Sequence, residues 1–384
     1  MKILITSDWY VSGTNGVVVS VKNLLDELVK AGHDVRVLTV SKSRHSYKDG
    51  FVYCLGSFPV PVYPEARIVY TLSRKLINEL IEWKPDVIHS QCEFCTLPFA
   101  KRISKYTGAP IVHTYHTMYE QYVGYIRLSK RFGKKVVRYL TRRLLRNAAL
   151  IVAPSTKTKK VLTDYGMKMP IQVIPSGISL DRFKQRLSAE ERDSMRKKLG
   201  IDEACPVLIY LGRLGAEKNV DELLEMFSKY SADKTNAKFL IVGGGPAEEK
   251  LKKKASELEI TDKVIFTGLV PINEVYKYYQ LGDVFVSAST SETQGLTYVE
   301  AAASGLPLLC RKDPCLDDII RQGENGFEYT EEKEFLEWAD MMLGNEAWRE
   351  SAGKISEEVS MSFDKSVFGN AAEEAYESVV KKDA

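Results

Sequence analysis

Two glutamates, Glu292 and Glu300, stand eight residues apart in the stretch SETQGLTYVEAAASGLP, Ser291–Pro307, with Gly295 between them. Small apolar residues follow Glu300 and predict a buried helix that starts near it. A carboxylate at a helix start is favoured electrostatically, so capping is one reading of Glu300. The other is an acceptor for the paired hydroxyls of a ribose. Glu292 falls on the preceding loop with Thr293, Gln294, Gly295 and Leu296, where a carboxylate and free backbone amides can grip sugar hydroxyls. Upstream, Gly212-Arg213 and then Lys218 follow the apolar run VLIYL. Two cations at the carboxyl edge of a strand suit a diphosphate, Arg as a planar fork and Lys as a point charge; a solvated pair of surface charges is the alternative. Gly13-Thr14-Asn15-Gly16 precedes a helical pattern, and amides at such a turn can hold an anion. Gly243-Gly244-Gly245-Pro246 has neither Walker nor dinucleotide spacing and reads as a tight strand-to-helix turn.

The elements that carry these residues alternate. KILITSDWY, HDVRVLTV, PDVIHSQ, APIVHTYHT, ALIVAPS and IQVIPSGI read as strands with helical segments between them, the pattern of a doubly wound parallel sheet, whose functional groups gather at the carboxyl ends of strands. Residues 176–205 are charged and poor in strand signal, and read as a connection. The rhythm then restarts with PVLIYLGRL, KFLIVGGGP, VIFTGLV, DVFVSAS and PLLCRK. The expectation is two α/β domains facing across a cleft, 1–175 and 176–361, with a last amphipathic helix in 362–384 crossing back to the first. A chain of 384 residues suits two cores.

Composition sets limits. With 44% hydrophobic and 27% charged residues the chain is globular, and a net charge of +3 does not by itself point to nucleic acid. Six cysteines at irregular spacing make no disulfide framework; the lone Cys92-x-x-Cys95 reads as buried reduced thiols. No signal peptide or membrane-spanning run is visible, so a cytosolic protein is expected.

GRL with a lysine soon after, then E-x7-E from Glu292 to Glu300, then AAASGLP, resembles the nucleotide-sugar half of retaining glycosyltransferases of the GT-B fold, glycosyltransferase family 4. TNGVVVS resembles its acceptor half, and VHTYHTMYEQYVGYI (Val112–Ile126) is similar to the bacterial 1,2-diacylglycerol 3-glucosyltransferases. The resemblance covers nearly the whole chain and departs at Pro175-Ser176-Gly177-Ile178, where the family usually has Pro-Asn-Gly-Val. It implies transfer of glucose from UDP-glucose, or a related UDP-sugar, to the 3-hydroxyl of diacylglycerol with retention, without a tightly bound cofactor. It implies that Arg213 and Lys218 hold the diphosphate, the Gly16 amide reaches the distal phosphate, Glu300 binds the ribose, and Glu292 with Gly295 and Leu296 binds the hexose. The base would stack near Phe266–Gly268. His116 would lie by the sugar and acceptor; Asp8 is a weaker candidate for the acceptor hydroxyl, with capping as its alternative, and His113 is assigned to packing. With no Asp-x-Asp in a plausible metal loop, no obligatory metal is expected.

RLSKRFGKKVVRYLTRRLLR, Arg127–Arg146, holds nine cations and no acid, with Leu128, Phe132, Val136, Leu140 and Leu144 every fourth residue. One helix would then set an apolar stripe among Arg127, Lys130, Arg131, Lys134, Lys135, Arg138, Arg142 and Arg143. That composition fits an interfacial helix on an anionic membrane surface, so peripheral association with the inner face of the cell membrane is expected. Aromatic interleaving is too sparse for nucleic acid. The rival readings are a soluble sugar, thiol or polysaccharide acceptor, a nucleotide-sugar-binding protein without turnover, and an epimerase, whose acid/base pair has no placement here.

Overall fold

The structure, a computed structural model, describes residues 1–10, 15–60, 63–69, 73–120, 130–233 and 236–380. The chain divides into two compact units, Met1–Ile178 with Lys365–Ala384, and Ser179–Asp364.

In the first unit the strands are β1 (Lys2–Ser7), β2 (Asp34–Val40), β3 (Tyr47–Asp49), β4 (Val52–Leu55), β5 (Ser57–Val60), β6 (Tyr63–Val69), β7 (Val87–Ser90), β8 (Ile111–Thr114), β9 (Leu150–Ala153) and β10 (Ile171–Val173). The main sheet runs β10-β9-β8-β7-β1-β2-β4-β3, parallel except for β3; β5 and β6 form a separate antiparallel pair. β1, β7, β8 and β9 are almost wholly buried, which is why they read as short apolar runs rather than alternating ones. The helix Lys365–Val380 lays Phe368, Ala372, Ala375, Tyr376 and Val379 on one of this unit's cores. Its start is latched to the chain leaving the unit. Lys365 N–H donates to the Ile178 carbonyl at 2.9 Å, and a Cβ on Gly177 would lie 2.6 Å from Lys365 Cα. Gly177 is thus the part of the family's Pro-Asn-Gly-Val pattern that packing requires here.

The second unit holds β11 (Val207–Leu211), β12 (Lys238–Val242), β13 (Val264–Phe266), β14 (Val284–Ser287), β15 (Leu308–Arg311) and β16 (Gly326–Tyr329), all parallel, in the order β13-β12-β11-β14-β15-β16. The stretch after Ile178 differs from a linker. It forms helices Leu180–Phe183 and Ala189–Lys198, the second with a Ser188/Glu191 capping box. Buried Arg196 ties it down by donating to the carbonyls of Leu281, Asp202 and Cys205. The strands β3, β5, β6 and β16 carry few apolar residues in a row, and β4, VYCL, is apolar throughout but too short to stand out in the sequence.

Among the parallel strands the chain order reverses between β7 and β1 in the first unit and between β14 and β11 in the second. At such a switch point the loops leaving two neighbouring strands diverge, and ligands of parallel sheets bind there.

Candidate active site

The second unit's switch point gathers the residues singled out by chemistry. Arg213 leaves β11, and Lys218 ends the short turn Ala216–Lys218. Glu292 follows β14. Lys218 Nζ donates to Glu292 Oε1 at 2.5 Å, and Ser289 Oγ donates to the same oxygen at 2.8 Å. Arg213 donates to the Glu217 carboxylate. The two cations therefore meet two carboxylates, and Glu217 had not been singled out in the sequence. Its signal was there: it sits four residues after Arg213 and just before Lys218.

The helix after this loop is Leu296–Ala303, so it starts four residues before the expected position. Its N-cap is Gly295 at φ +79°, where a Cβ would collide with the Tyr298 ring at 2.3 Å. Glu300 lies a full turn inside and is not the cap. Tyr279 OH donates to Glu300 Oε2 at 2.8 Å, and burial pushes the carboxyl up to about 7. The run AAASG permits close packing: a Cβ on Gly353 would lie 2.4 Å from the Gly305 carbonyl oxygen.

Beside it the ends of β11, β12 and β13 interlock through glycines. Gly212 N–H donates to the Val242 carbonyl and Gly243 N–H to the Gly268 carbonyl, both at 3.0 Å; a Cβ on Gly243 would lie 2.1 Å from the Gly212 oxygen. Phe266 turns its ring onto the core, which leaves backbone rather than ring at that rim.

The first unit's switch point has a different character. Asp8 follows β1, and its two oxygens accept from Cys95 N–H at 2.9 Å, Thr96 N–H at 2.8 Å and Thr96 Oγ1–H at 2.7 Å. This holds the start of the helix Leu97–Thr107, the capping geometry, and burial pushes the Asp8 carboxyl up. His116 Nε2 is 2.6 Å from Gln91 Oε1. His113 Nε2 meets Glu93 Oε1 at 3.2 Å, and Tyr119 OH donates to Glu93 Oε2 at 2.5 Å. His89 sits deeper, between Thr114 Oγ1 at 2.7 Å and Tyr376 OH at 2.6 Å. Burial, with neighbouring histidines adding to it, pulls His89 and His116 down to about 3, so both rings are neutral. Gln91 and Glu93 were missed because a strand-end Gln and Glu carry no motif. Gly16 opens the helix Gly16–Lys30, whose N-cap Asn15 accepts from Val18 N–H at 3.0 Å; Gly13 and Thr14 lie outside the described residues. Cys92 and Cys95 are free thiols.

The basic helix runs Lys130–Leu145. Its apolar residues do not form the four-residue stripe expected. Phe132, Tyr139 and Leu140 are exposed, whereas Val137, Leu144 and Leu145 pack on the core. The reason is the helical period: steps of four drift around the axis, so Phe132 and Leu144 end on different faces. Among the cations, Lys134 pairs with Glu120 at 3.2 Å and Arg138 Nε donates to the Tyr165 carbonyl at 3.1 Å. Arg142 and Arg143, with Arg146 and Tyr139, line an open concavity of about 480 Å³. Arg127 lies outside the described residues, as do the side chains of Lys130 and Arg131. Among the described residues no helix is long and apolar enough to cross a membrane.

Two Rossmann-like parallel-sheet units in series are the architecture of the GT-B glycosyltransferases. The model for Glycosyltransferase Family 4 matches residues 14–182, and that for Glycosyl transferases group 1 matches residues 191–358. The chain belongs to glycosyltransferase family 4. It is 36% identical to an alpha-monoglucosyldiacylglycerol synthase of Streptococcus pneumoniae over 83% of this chain and 73% of that one. It is 30% identical to the synthase of the same name from Acholeplasma laidlawii over 100% and 98% of the two chains. Anabaena HepE in complex with UDP and glucose shares the fold at a TM-score of 0.75, with 17% identity over 98% of this chain and all of that one. Sucrose-phosphate synthase from Thermosynechococcus elongatus does so at 0.78, with 19% identity over 99% of each.

Proposed function

We propose that the protein is a retaining glucosyltransferase that moves glucose from UDP-glucose to the 3-hydroxyl of 1,2-diacylglycerol at the inner face of the cell membrane. The observation that carries the reading is the similarity, over the length of the chain, to synthases named for a glucosyldiacylglycerol product. The "alpha" in the name of those synthases supports retention, because an α-linked donor then yields an α-linked product. UDP as the carrier draws support from the HepE structures, which hold UDP and UDP-glucose.

In this reading Arg213 and Lys218 bind the diphosphate. Breaking the anomeric C–O bond leaves extra negative charge on the diphosphate and an oxocarbenium-like sugar. Cations fixed where that charge develops lower the barrier. The Gly16 amide serves the distal phosphate. Glu300 accepts from the ribose hydroxyls; those donors offset the burial that pushes its carboxyl up, so ribose and ionised Glu300 stabilise one another. Glu292 gives up Lys218 to take hexose hydroxyls beside Gly295 and Leu296, and the base stacks on the backbone rim of Phe266–Gly268. His116, held neutral, acts on the sugar and acceptor as a hydrogen-bonding group rather than a cation. Asp8 takes no part, since both oxygens serve the helix start. The exposed face of the helix Lys130–Leu145 meets anionic lipid.

Incubating the protein with diacylglycerol vesicles and a panel of nucleotide sugars, then analysing the lipid extract by mass spectrometry, tests the reading. UDP-glucose should give a monoglucosyl lipid. Transfer only to a soluble acceptor, or only from another nucleotide sugar, would replace it.

A further inference from the structure

At the edge of β11 and β14 the charges close on themselves: Arg213 on Glu217, Lys218 on Glu292. Glu292 has a use in transfer. Glu217 has none, yet the fold fixes its carboxylate firmly. Its side chain is only 6% exposed against 43% for Arg213. It lies over Gly215, where a Cβ would come within 2.4 Å of Glu217 Oε1. Its backbone carbonyl accepts from Ser291 Oγ at 3.2 Å, which ties the turn to the loop that carries Glu292. A carboxylate is thus held on the same guanidinium that the diphosphate is assigned to, in a partly buried place where like charges are weakly screened.

We propose that Glu217 competes with the donor's diphosphate for Arg213, and so sets how tightly the nucleotide is held and how readily it leaves. The inference rests on the assignment of the diphosphate to Arg213 and Lys218. A diphosphate approaching Arg213 brings at least two negative charges beside a fixed third. The guanidinium has five N–H donors and can turn a second edge to the phosphates, but the repulsion remains. After transfer, the product nucleotide carries more charge than the donor did, so Glu217 opposes product more than substrate. It weakens product inhibition at the expense of donor affinity.

Glu217→Gln keeps the size of the side chain and an oxygen for Arg213, and removes only the charge. Calorimetric titration with UDP should show binding about tenfold tighter in the variant, the scale of one like-charge contact removed. Uridine, measured as a competing ligand, should bind both forms equally. Under turnover the variant should show a lower KM and stronger inhibition by UDP. Glu217→Ala, checked for an unchanged melting curve, should also tighten UDP. Equal or weaker UDP binding in both variants, with uridine unchanged, would overturn the inference and make Glu217 a residue that positions Arg213, leaving the donor assignment intact. Failure of the unaltered protein to bind UDP at all would remove the donor assignment, and this inference with it.

Discussion

The two sheets share a plan and differ in what they expose at the switch point. In the second unit the edge is ionic: Arg213, Glu217, Lys218 and Glu292 pair with one another, all but Glu217 at partly exposed positions. In the first unit it is a largely buried hydrogen-bonded network in which two rings are held neutral: His89 with Thr114 and Tyr376, His116 with Gln91, beside His113 and Tyr119 on Glu93. All five histidines of the chain fall before Ile178. An ionic edge can take a highly charged ligand by exchange of partners. A buried neutral edge recognises hydroxyls and pays heavily for any charge placed in it. The same topology thus supplies two chemistries, and the contrast can be broken at several points.

The largest effect is expected from Arg213→Ala. In the proposed reading it removes a cation from where negative charge develops, and transfer should fall on the order of 100-fold or more, by analogy with deleting one oxyanion donor. The thermal stability of either unit should barely move, because Arg213 is 43% exposed. Steady-state kinetics beside a melting curve checks this. A variant that loses stability in proportion to activity would mean that the Arg213–Glu217 pair is structural.

The second test uses acid, to which the two edges respond with opposite signs. Burial holds His89 and His116 neutral, at about 3, while an unfolded histidine takes a proton near 6.5. The unfolded state therefore binds more protons in that window. The first unit should lose stability as pH falls below 6.5, by roughly 1.4 kcal/mol per pH unit for each ring. Asp8, pushed up by burial, opposes this at pH above its ordinary carboxylate value of 3.8, where only the folded state holds its proton. Glu300 works the other way. Its folded value is about 7 against 4.5 unfolded, so the folded state holds the extra proton, and stability falls as pH rises from 4.5 to 7. Glu300→Gln should make the second unit more stable above pH 7, on the order of 2 kcal/mol after allowing for partial exposure. That gain should vanish below pH 4.5, and donor binding should weaken. Hydrogen exchange followed by mass spectrometry reads the two units separately in the intact chain. A common sign of pH response in both would sink the contrast.

The same contrast explains what the sequence disclosed. Strands buried on both faces write themselves as apolar runs, so the alternation behind both sheets was legible. The ionic edge was legible too, because Arg213, Lys218, Glu292 and Glu300 stand at strand ends with glycines beside them. The neutral edge was mostly not. Gln91 meets His116 from 25 residues away, and His89 meets Tyr376 from 287 away, and no local spacing encodes such pairs. Tyr279 was missed likewise, since it reads as one aromatic in YKYY until the fold sets it on Glu300, 21 residues on. The basic helix was legible in composition but not in face, because a step of four only approximates the helical period.

That helix supplies the third test. Arg142 and Arg143 face an open concavity, while Lys134 is held by Glu120. Replacing Arg142 and Arg143 with Ser should weaken flotation with anionic vesicles by roughly 1 kcal/mol per cation and spare hydrolysis of the donor. Replacing Lys134 alone should do less, since its charge is already balanced. Equal loss from either change would show that net charge, not this face, draws the protein to lipid.

The smallest effect sharpens the reading of Glu300. Tyr279 OH hydrogen-bonds the ionised carboxylate and so lowers a value that burial raises. Tyr279→Phe removes that donor alone. The Glu300 carboxyl should then rise further above 7, and the pH below which donor affinity is lost should move up with it. At neutral pH the KM for donor should increase about tenfold, the worth of one hydrogen bond to a charged group being roughly 1.5 kcal/mol at the lower end of its range. At pH 9, where Glu300 is ionised in both forms, the two proteins should converge. A KM difference that persists unchanged at pH 9 would mean that the Tyr279 hydroxyl acts through its other partner, the Thr297 carbonyl at 3.3 Å, and not through the charge of Glu300.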